Sequence, residues 1–495
     1  MIIAGDNTNH HFLTKFPLRT FLPLPSFVQR FANSSGLAQQ KCLEAGLSDH
    51  ARSHRHAVEP PPPINRLPVE LLADVFFLSL QDNRVMKGPP RSRKFPGLSF
   101  SPGWSSDPMI LASVCRHWRA VALTTPMLWS SLAILCSQRK HHIPLLRTWL
   151  ERSADCPLTI CLVEPFRESK ERAQWWPQQQ ALATDILSLL ITQAYRWKAI
   201  DFRFSLGIPV VLANIPHGTL RALESATIFS SEGRSLSPLE FLSLDQVWEA
   251  VHASPSLRKA RWEAVYLEHR LQDIPCTQLT SIEVTISIDS LFDLLSLCHN
   301  LVDLHFTDAR LESDADSPPR SSNHPHSHAL LVLPHLRNLS LDLNQPSATI
   351  FGRLTLPSLI SFDIRQDQSC REPSDASSFK DLLARSKCCL QKFSYEDTGP
   401  DGEDILLEML SSPLLSSLAD LSVESSVSTK FTNLLTRQPA MCATLPRLER
   451  LALGQCATPP GALRDMVSSR RIKTDHCSLL REMKVGNWAR HDTDL

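Results

Sequence analysis

One spacing of apolar residues recurs through the C-terminal part of the chain: an apolar residue, two variable ones, an apolar residue, one variable, an apolar residue. It reads Trp197-x-x-Ile200-x-Phe202, Leu220-x-x-Leu223 with Ser225 in third place, Leu257-x-x-Ala260-x-Trp262, Leu279-x-x-Ile282-x-Val284 and Leu301-x-x-Leu304-x-Phe306. It continues as Leu336-x-x-Leu339-x-Leu341, Leu359-x-x-Phe362-x-Ile364, Leu390-x-x-Phe393-x-Tyr395, Leu418-x-x-Leu421-x-Val423, Leu448-x-x-Leu451-x-Leu453 and Leu480-x-x-Met483-x-Val485. Alternation at the last three positions predicts a short strand, with the earlier apolar residue packed beneath its start. Helical spacing returns between these strands, as in Ser290–Leu297 and Ile405–Leu410. Strand and helix in regular alternation predict an α/β array in which each unit buries its apolar edge against its neighbours. The expected architecture over residues 197–495 is a solenoid with a parallel sheet on its inner face and helices outside.

A different pattern precedes it. Pro68 stands where a helix tolerates proline, at a first position with no hydrogen bond to lose. Leu67, Leu71, Val75 and Leu78 then recur on one face, and Leu72 and Phe76 widen it. A second helix is predicted over Met109–Arg119, with Leu111, Val114, Cys115, Trp118 and Ala122 on one side. Thr125-Pro126-Met127-Leu128-Trp129 closes the segment. So small a unit cannot bury all of that apolar surface alone, so a partner is expected. Residues 136–196 are expected to link the two regions through a helix carrying Ile143, Leu146, Trp149 and Leu150. A capping strand follows at Leu158–Val163, then an amphipathic stretch with Ala181, Leu182, Ile186, Leu189 and Leu190.

The early segment resembles the F-box, the adaptor-binding module of cullin–RING ubiquitin ligases. The matching pieces, in order, are Leu67-Pro68-x-Glu70-Leu71-Leu72-x-x-Val75-Phe76, Val114-Cys115-Arg116-x-Trp118-Arg119 and Thr125-Pro126-x-Leu128-Trp129. The resemblance implies a small all-α module over 61–135 that docks on a Skp-type adaptor. Leu67, Pro68, Leu71, Leu72, Val75, Phe76, Val114, Cys115, Trp118 and Trp129 would be its contact residues. One departure is the 81–107 insertion, whose Pro89, Pro90, Pro96, Gly97, Pro102 and Gly103 mark it as an extruded loop. The later units look like divergent leucine-rich repeats, with starts 22 to 37 residues apart and the longer steps holding insertions such as the polar loop 312–329. Together the resemblances imply a substrate-recruiting subunit of a Skp–cullin–F-box ubiquitin ligase, with an unknown protein substrate held by the array. The alternative is a leucine-rich-repeat interaction scaffold without a ligase.

Composition narrows the choices. Lys plus Arg and Asp plus Glu both total 51, so no net field calls for nucleic acid or an anionic membrane. The 13 cysteines are odd in number and lack Cys-x-x-Cys spacing, which argues for a reducing compartment, cytoplasmic or nuclear. No apolar run reaches the roughly 18 residues of a membrane span. Residues 1–60 read as a poorly ordered tail. His324, His326 and His328 alternate on a proline-rich loop that would fix metal ligands badly, so no metal is expected. Lys87, Arg91, Arg93 and Lys94 are a basic run in the insertion, either an import signal or a solvated loop. No phosphate loop, nucleophile elbow, zincin helix or dinucleotide fingerprint is present, so neither catalysis nor a cofactor is expected.

The solvent side of the predicted sheet is the expected target-binding face. Asp342, Asp363, Arg365, Lys392, Glu396, Asp420 and Glu424 fall there, a mild acidic lean that would suit a ligand segment of basic character.

Overall fold

The computed structural model describes residues 62–82, 108–136, 142–164, 169–204, 210–230, 238–262, 273–308, 330–366, 374–397, 402–437, 444–459, 461–472 and 477–488. The expected tail, the insertion beyond residue 82, the loop 312–329 and its histidines lie outside them. The chain divides into two compact units, Met1–Pro165 and Phe166–Leu495. The division falls inside the segment 136–196.

In the first unit a 3-10 turn at Pro63–Arg66 leads into α1 (Val69–Asp82), followed by α2 (Pro108–Val114) and α3 (Arg116–Thr124). A second 3-10 turn at Pro126–Trp129 precedes β1 (Ser131–Leu135), α4 (His142–Arg152) and β2 (Leu158–Val163). The broad apolar face expected of α1 separates into two stripes. Leu72, Phe76 and Leu80, spaced by four, are buried, whereas Leu71 and Leu78 stay exposed.

The predicted second helix is two helices. Cys115 between them is extended, at φ −156° and ψ 173°, and its Sγ accepts from the Trp118 backbone N–H as an N-cap. Arg119 Nε donates back to Ala112 O at 2.9 Å, tying α3 to α2 across the break. The unit is not all-α either: β1 pairs in parallel with β2, Ser131 opposite Thr159 through Leu135 opposite Val163. The run Leu132-Ala133-Ile134 is buried on both faces, so it shows no alternation to announce a strand.

The second unit holds α5 (Ser169–Ile191), β3 (Trp197–Phe204), β4 (Ser225–Ser230), α6 (Pro238–His252), β5 (Lys259–Trp262), β6 (Ser281–Ile286), α7 (Ile288–Leu297) and β7 (Asp303–Asp308). After these come β8 (Leu331–Val332), β9 (Asn338–Leu343), α8 (Ala348–Phe351), β10 (Leu354–Thr355), β11 (Ser361–Gln366), α9 (Ser374–Ser386) and β12 (Lys392–Asp397). The last elements are α10 (Gly402–Leu410), β13 (Asp420–Val427), α11 (Thr429–Leu435), β14 (Arg450–Cys456), α12 (Ala462–Arg471) and β15 (Glu482–Trp488).

Eleven of these strands, β3 to β7, β9 and β11 to β15, lie side by side in sequence order, and each successive pair is parallel. The fold is therefore mixed α/β with a large parallel sheet, stacked unit on unit. β8 and β10 form a separate two-stranded parallel ladder that the sequence pattern did not predict.

Register follows the apolar spacing. Ile282, Leu304, Leu339, Phe362, Phe393, Leu421 and Leu451 lie opposite one another along the ladder. One unit is displaced from the prediction: Ala226, not Leu223, lies opposite Ile200, and Ile228 lies opposite Phe202. Its pattern is Leu223-x-x-Ala226-x-Ile228, all three buried. The cause is an earlier buried position three residues before the leading apolar one, filled here by Leu220 and elsewhere by Leu333, Leu356, Leu415 and Leu445. Leu220 and Leu223 thus mimic the start of the unit, while a small alanine hides its true second position.

Helices pack on the apolar side of the sheet. Phe379 of α9 stacks between Phe362 and Phe393 of neighbouring strands, at 5.8 and 5.5 Å between ring centroids. Trp248 of α6 lies 5.7 Å from Trp262 of β5. Such aromatic contacts add to the burial that holds the layers together.

Candidate functional site

The apolar residues assigned to adaptor docking fall into two groups. Leu72, Phe76, Trp118 and Trp129 are interior. Trp118 is 2 % exposed and Phe76 1 %; their rings lie 4.8 Å apart, and Trp118 Nε1 donates to Asn65 Oδ1 at 2.7 Å. Trp129 Nε1 donates to Ala122 O at 2.7 Å, and its ring meets Trp149 edge-on at 4.6 Å. Arg152 lies over that ring, 4.5 Å from its centroid. These four residues build the unit and leave no surface for a partner to grip, so they cannot be contact residues in this conformation.

The second group is accessible. Pro68 and Leu71 are exposed, and Leu67, Val75, Val114 and Cys115 are half-buried. Leu71, at 51 % exposure, shares a face of α1 with Val75 and with Leu78, at 59 %. Val69, Met109, Leu123 and Met127 are further large apolar side chains left exposed in the same unit. Single exposed leucines are ordinary, but a row at helical spacing on one small unit is the kind of surface that docks on another protein. Leu78 was visible as part of the stripe. Its exposure was not, because periodicity alone does not say which half of a wide apolar face turns inward.

Alternation holds on the sheet of the second unit: the side opposite the core carries polar residues along each strand. Asp342, Asp363, Arg365, Glu396 and Asp420 are half-buried there, and Lys392 and Glu424 are exposed. Register brings Asp342, Arg365 and Glu396 abreast on three successive strands. Arg365 Nε pairs with Glu396 at 3.0 Å, and Arg450 Nε with Asp420 at 3.0 Å. The acidic lean read from the sequence is therefore partly offset, once by Arg450, which belongs to the next strand.

A second row, two residues earlier along each strand, runs through Arg261, Glu283, His305, Ser340 and Asp363, and the sequence reading did not single out its first four members. Arg261 Nη1 pairs with Glu283 at 2.9 Å and its guanidinium lies 5.0 Å from the centroid of the Phe229 ring. Burial holds the His305 imidazole below its ordinary range, against the pull of Glu283. Ser340 Oγ donates to Asp363 Oδ2 at 3.2 Å. The row is a polar, internally paired strip rather than a charged one.

Among the described residues no group of three or more His, Cys, Asp or Glu side chains is placed to hold a metal ion. None of the described helices is long and apolar enough to cross a membrane. A scan against protein-family models found no match, and a search of the curated proteins found no similar sequence.

Proposed function

We propose that this protein is the substrate-recruiting adaptor of a Skp–cullin–F-box ubiquitin ligase, working in the cytoplasm or nucleus. The observation that carries the reading is the row Leu71, Val75 and Leu78 on α1, with both leucines exposed and Val75 half-buried, led in by Leu67-Pro68. It stands on a unit whose sequence matches the three F-box pieces in order. In this reading the row docks on the Skp-type adaptor, while Phe76, Trp118 and Trp129 hold the row in place. The strand–helix units that follow in the chain are read as divergent leucine-rich repeats, whose solvent-facing sheet side holds a target protein. Ubiquitin transfer is then catalysis by proximity, with the chemistry supplied by the assembly and not by this chain.

The test is co-purification of the full-length protein with a Skp-type adaptor, wild type against a Leu71→Asp, Leu78→Asp double variant. Both side chains are already more than half in water, so the variant is expected to fold. Burying what remains of each leucine in an interface contributes roughly 1 kcal/mol, and desolvating two carboxylates adds a larger penalty. The wild type should carry the adaptor and the variant should not. Equal recovery by both, or by neither, refutes adaptor docking and leaves a repeat scaffold without a ligase.

A further inference from the structure

Cys276 and Cys298 occupy the same place in consecutive units, in the segments Cys276-x-x-Leu279-x-x-Ile282 and Cys298-x-x-Leu301-x-x-Leu304. The two units are held in register at this point. Ile282 lies opposite Leu304, and Thr280 O accepts from the Val302 and Asp303 N–H groups at 2.8 and 3.0 Å. Asn300 Nδ2 donates to Thr277 O at 2.7 Å, stitching the turn that follows Cys276 to the turn that follows Cys298. The paired strands that follow lie about 4.8 Å apart, and each cysteine stands six residues ahead of the paired Ile282 and Leu304; a disulfide spans ~4.4–6.8 Å between Cα atoms.

Both side chains face the interior, at 5 % and 0 % exposure, at equivalent positions of two units held in register. Interaction between the two thiols makes the pair unequal: it holds the Cys276 thiol below its ordinary value and, with burial, raises Cys298. The equivalent place takes a buried leucine in five other units, Leu220, Leu333, Leu356, Leu415 and Leu445. Filling it does not by itself demand sulfur, still less in two successive units.

We propose that Cys276 and Cys298 form a peroxide-responsive dithiol that closes into a disulfide linking two consecutive units of the array. The Cys276 thiolate attacks hydrogen peroxide; an S–O bond forms, the O–O bond breaks, and the departing hydroxide leaves as water. The Cys298 sulfur then attacks the sulfenic sulfur; the S–S bond forms, the S–O bond breaks, and a second water leaves. Two thiols and one peroxide become one disulfide and two waters. The crosslink closes a loop within the chain and restricts the unfolded state, so the oxidised array resists opening between these units.

The sequence makes the test direct. Trypsin leaves both cysteines in one peptide, residues 271–310, and Glu-C cleavage at Glu283 separates them unless they are linked. Full-length reduced protein is treated with hydrogen peroxide under native conditions, alkylated, and digested with both proteases. The two fragments should stay joined and part only after reduction, with the Tm of the oxidised protein higher by a few degrees and restored by reductant. In a Cys298→Ala variant the link should vanish and dimedone should label Cys276. Exposed Cys389 reports that the oxidant was sufficient. Recovery of both Cys276 and Cys298 as alkylated thiols at a dose that oxidises Cys389 overturns the proposal, and so does a link from either to any other cysteine. The wild-type digest decides the matter even if the variant does not fold.

Discussion

Replacing Trp118 by alanine separates a structural role from a docking one. The side chain is 2 % exposed, its indole N–H bonds Asn65 at 2.7 Å, and its ring lies 4.8 Å from Phe76. Truncating a buried tryptophan costs about 3–5 kcal/mol of stability through lost burial and the cavity left behind. Here the loss falls on the contacts that hold α3 and the lead-in turn against α1. Trp118→Phe keeps most of the volume and loses the bond to Asn65, for about 1 kcal/mol. Hydrogen exchange read by mass spectrometry localises the effect in the full-length protein. Amides of Val69–Asp82 and Arg116–Thr124 should lose roughly two to four powers of ten in protection in the alanine variant, and no more than about tenfold in the phenylalanine variant. Protection unchanged in the alanine variant, with adaptor capture lost, would mean that Trp118 is an interface anchor, and would refute the division of this face into core and surface.

Two further outcomes follow from buried polar groups in the second unit. Burial of His252 beside Trp248 and Trp262, opposed by the Asp273 charge, pulls its pKa from 6.5 to about 4. Trp262 Nε1 donates to its Nε2 at 3.0 Å, which requires the neutral ring. Between those values the unfolded chain takes up a proton that the folded chain refuses, so stability falls as pH drops through the window, by up to ~3 kcal/mol. Thermal melts at pH 7 and pH 4.5 should show that decline in wild type and a smaller one in His252→Gln; equal declines refute the assignment. Arg470 is fully buried, and its guanidinium donates to Leu435 O at 2.6 Å, Leu445 O at 3.2 Å and Thr444 O at 2.6 Å. Arg470→Met leaves the carbonyl end of α11 unsatisfied and should cost on the order of 3–5 kcal/mol; undiminished exchange protection over Thr429–Leu435 would show that the anchor is not needed.

Most of the array was legible because its rule is local. Apolar residues at fixed offsets within each unit specify a strand and its inward side, and the same offsets repeated down the chain specify a parallel ladder. The rule failed where a side chain was too small to register. Ala226 concealed the true second position of its unit, and Leu220, buried in the preceding turn, took its place in the pattern. The first unit was less legible. Cys115 looked like one more apolar residue on a continuous helix, yet it is extended and caps a new helix through sulfur. β1 was missed because a strand buried on both faces does not alternate.

The sequence by itself determined which residues are apolar, how they are spaced, and hence that short strands and helices alternate over some 300 residues behind a small helical segment. The tertiary structure alone decided which half of α1 turns inward. Leu71 and Leu72 are equally hydrophobic neighbours, and only the docking of Trp118 against Phe76 sends Leu72 into the core and leaves Leu71 in water. It alone also paired Asp420 with Arg450 and set Cys276 beside Cys298, since partners 22 or 30 residues apart meet only through the register of the sheet.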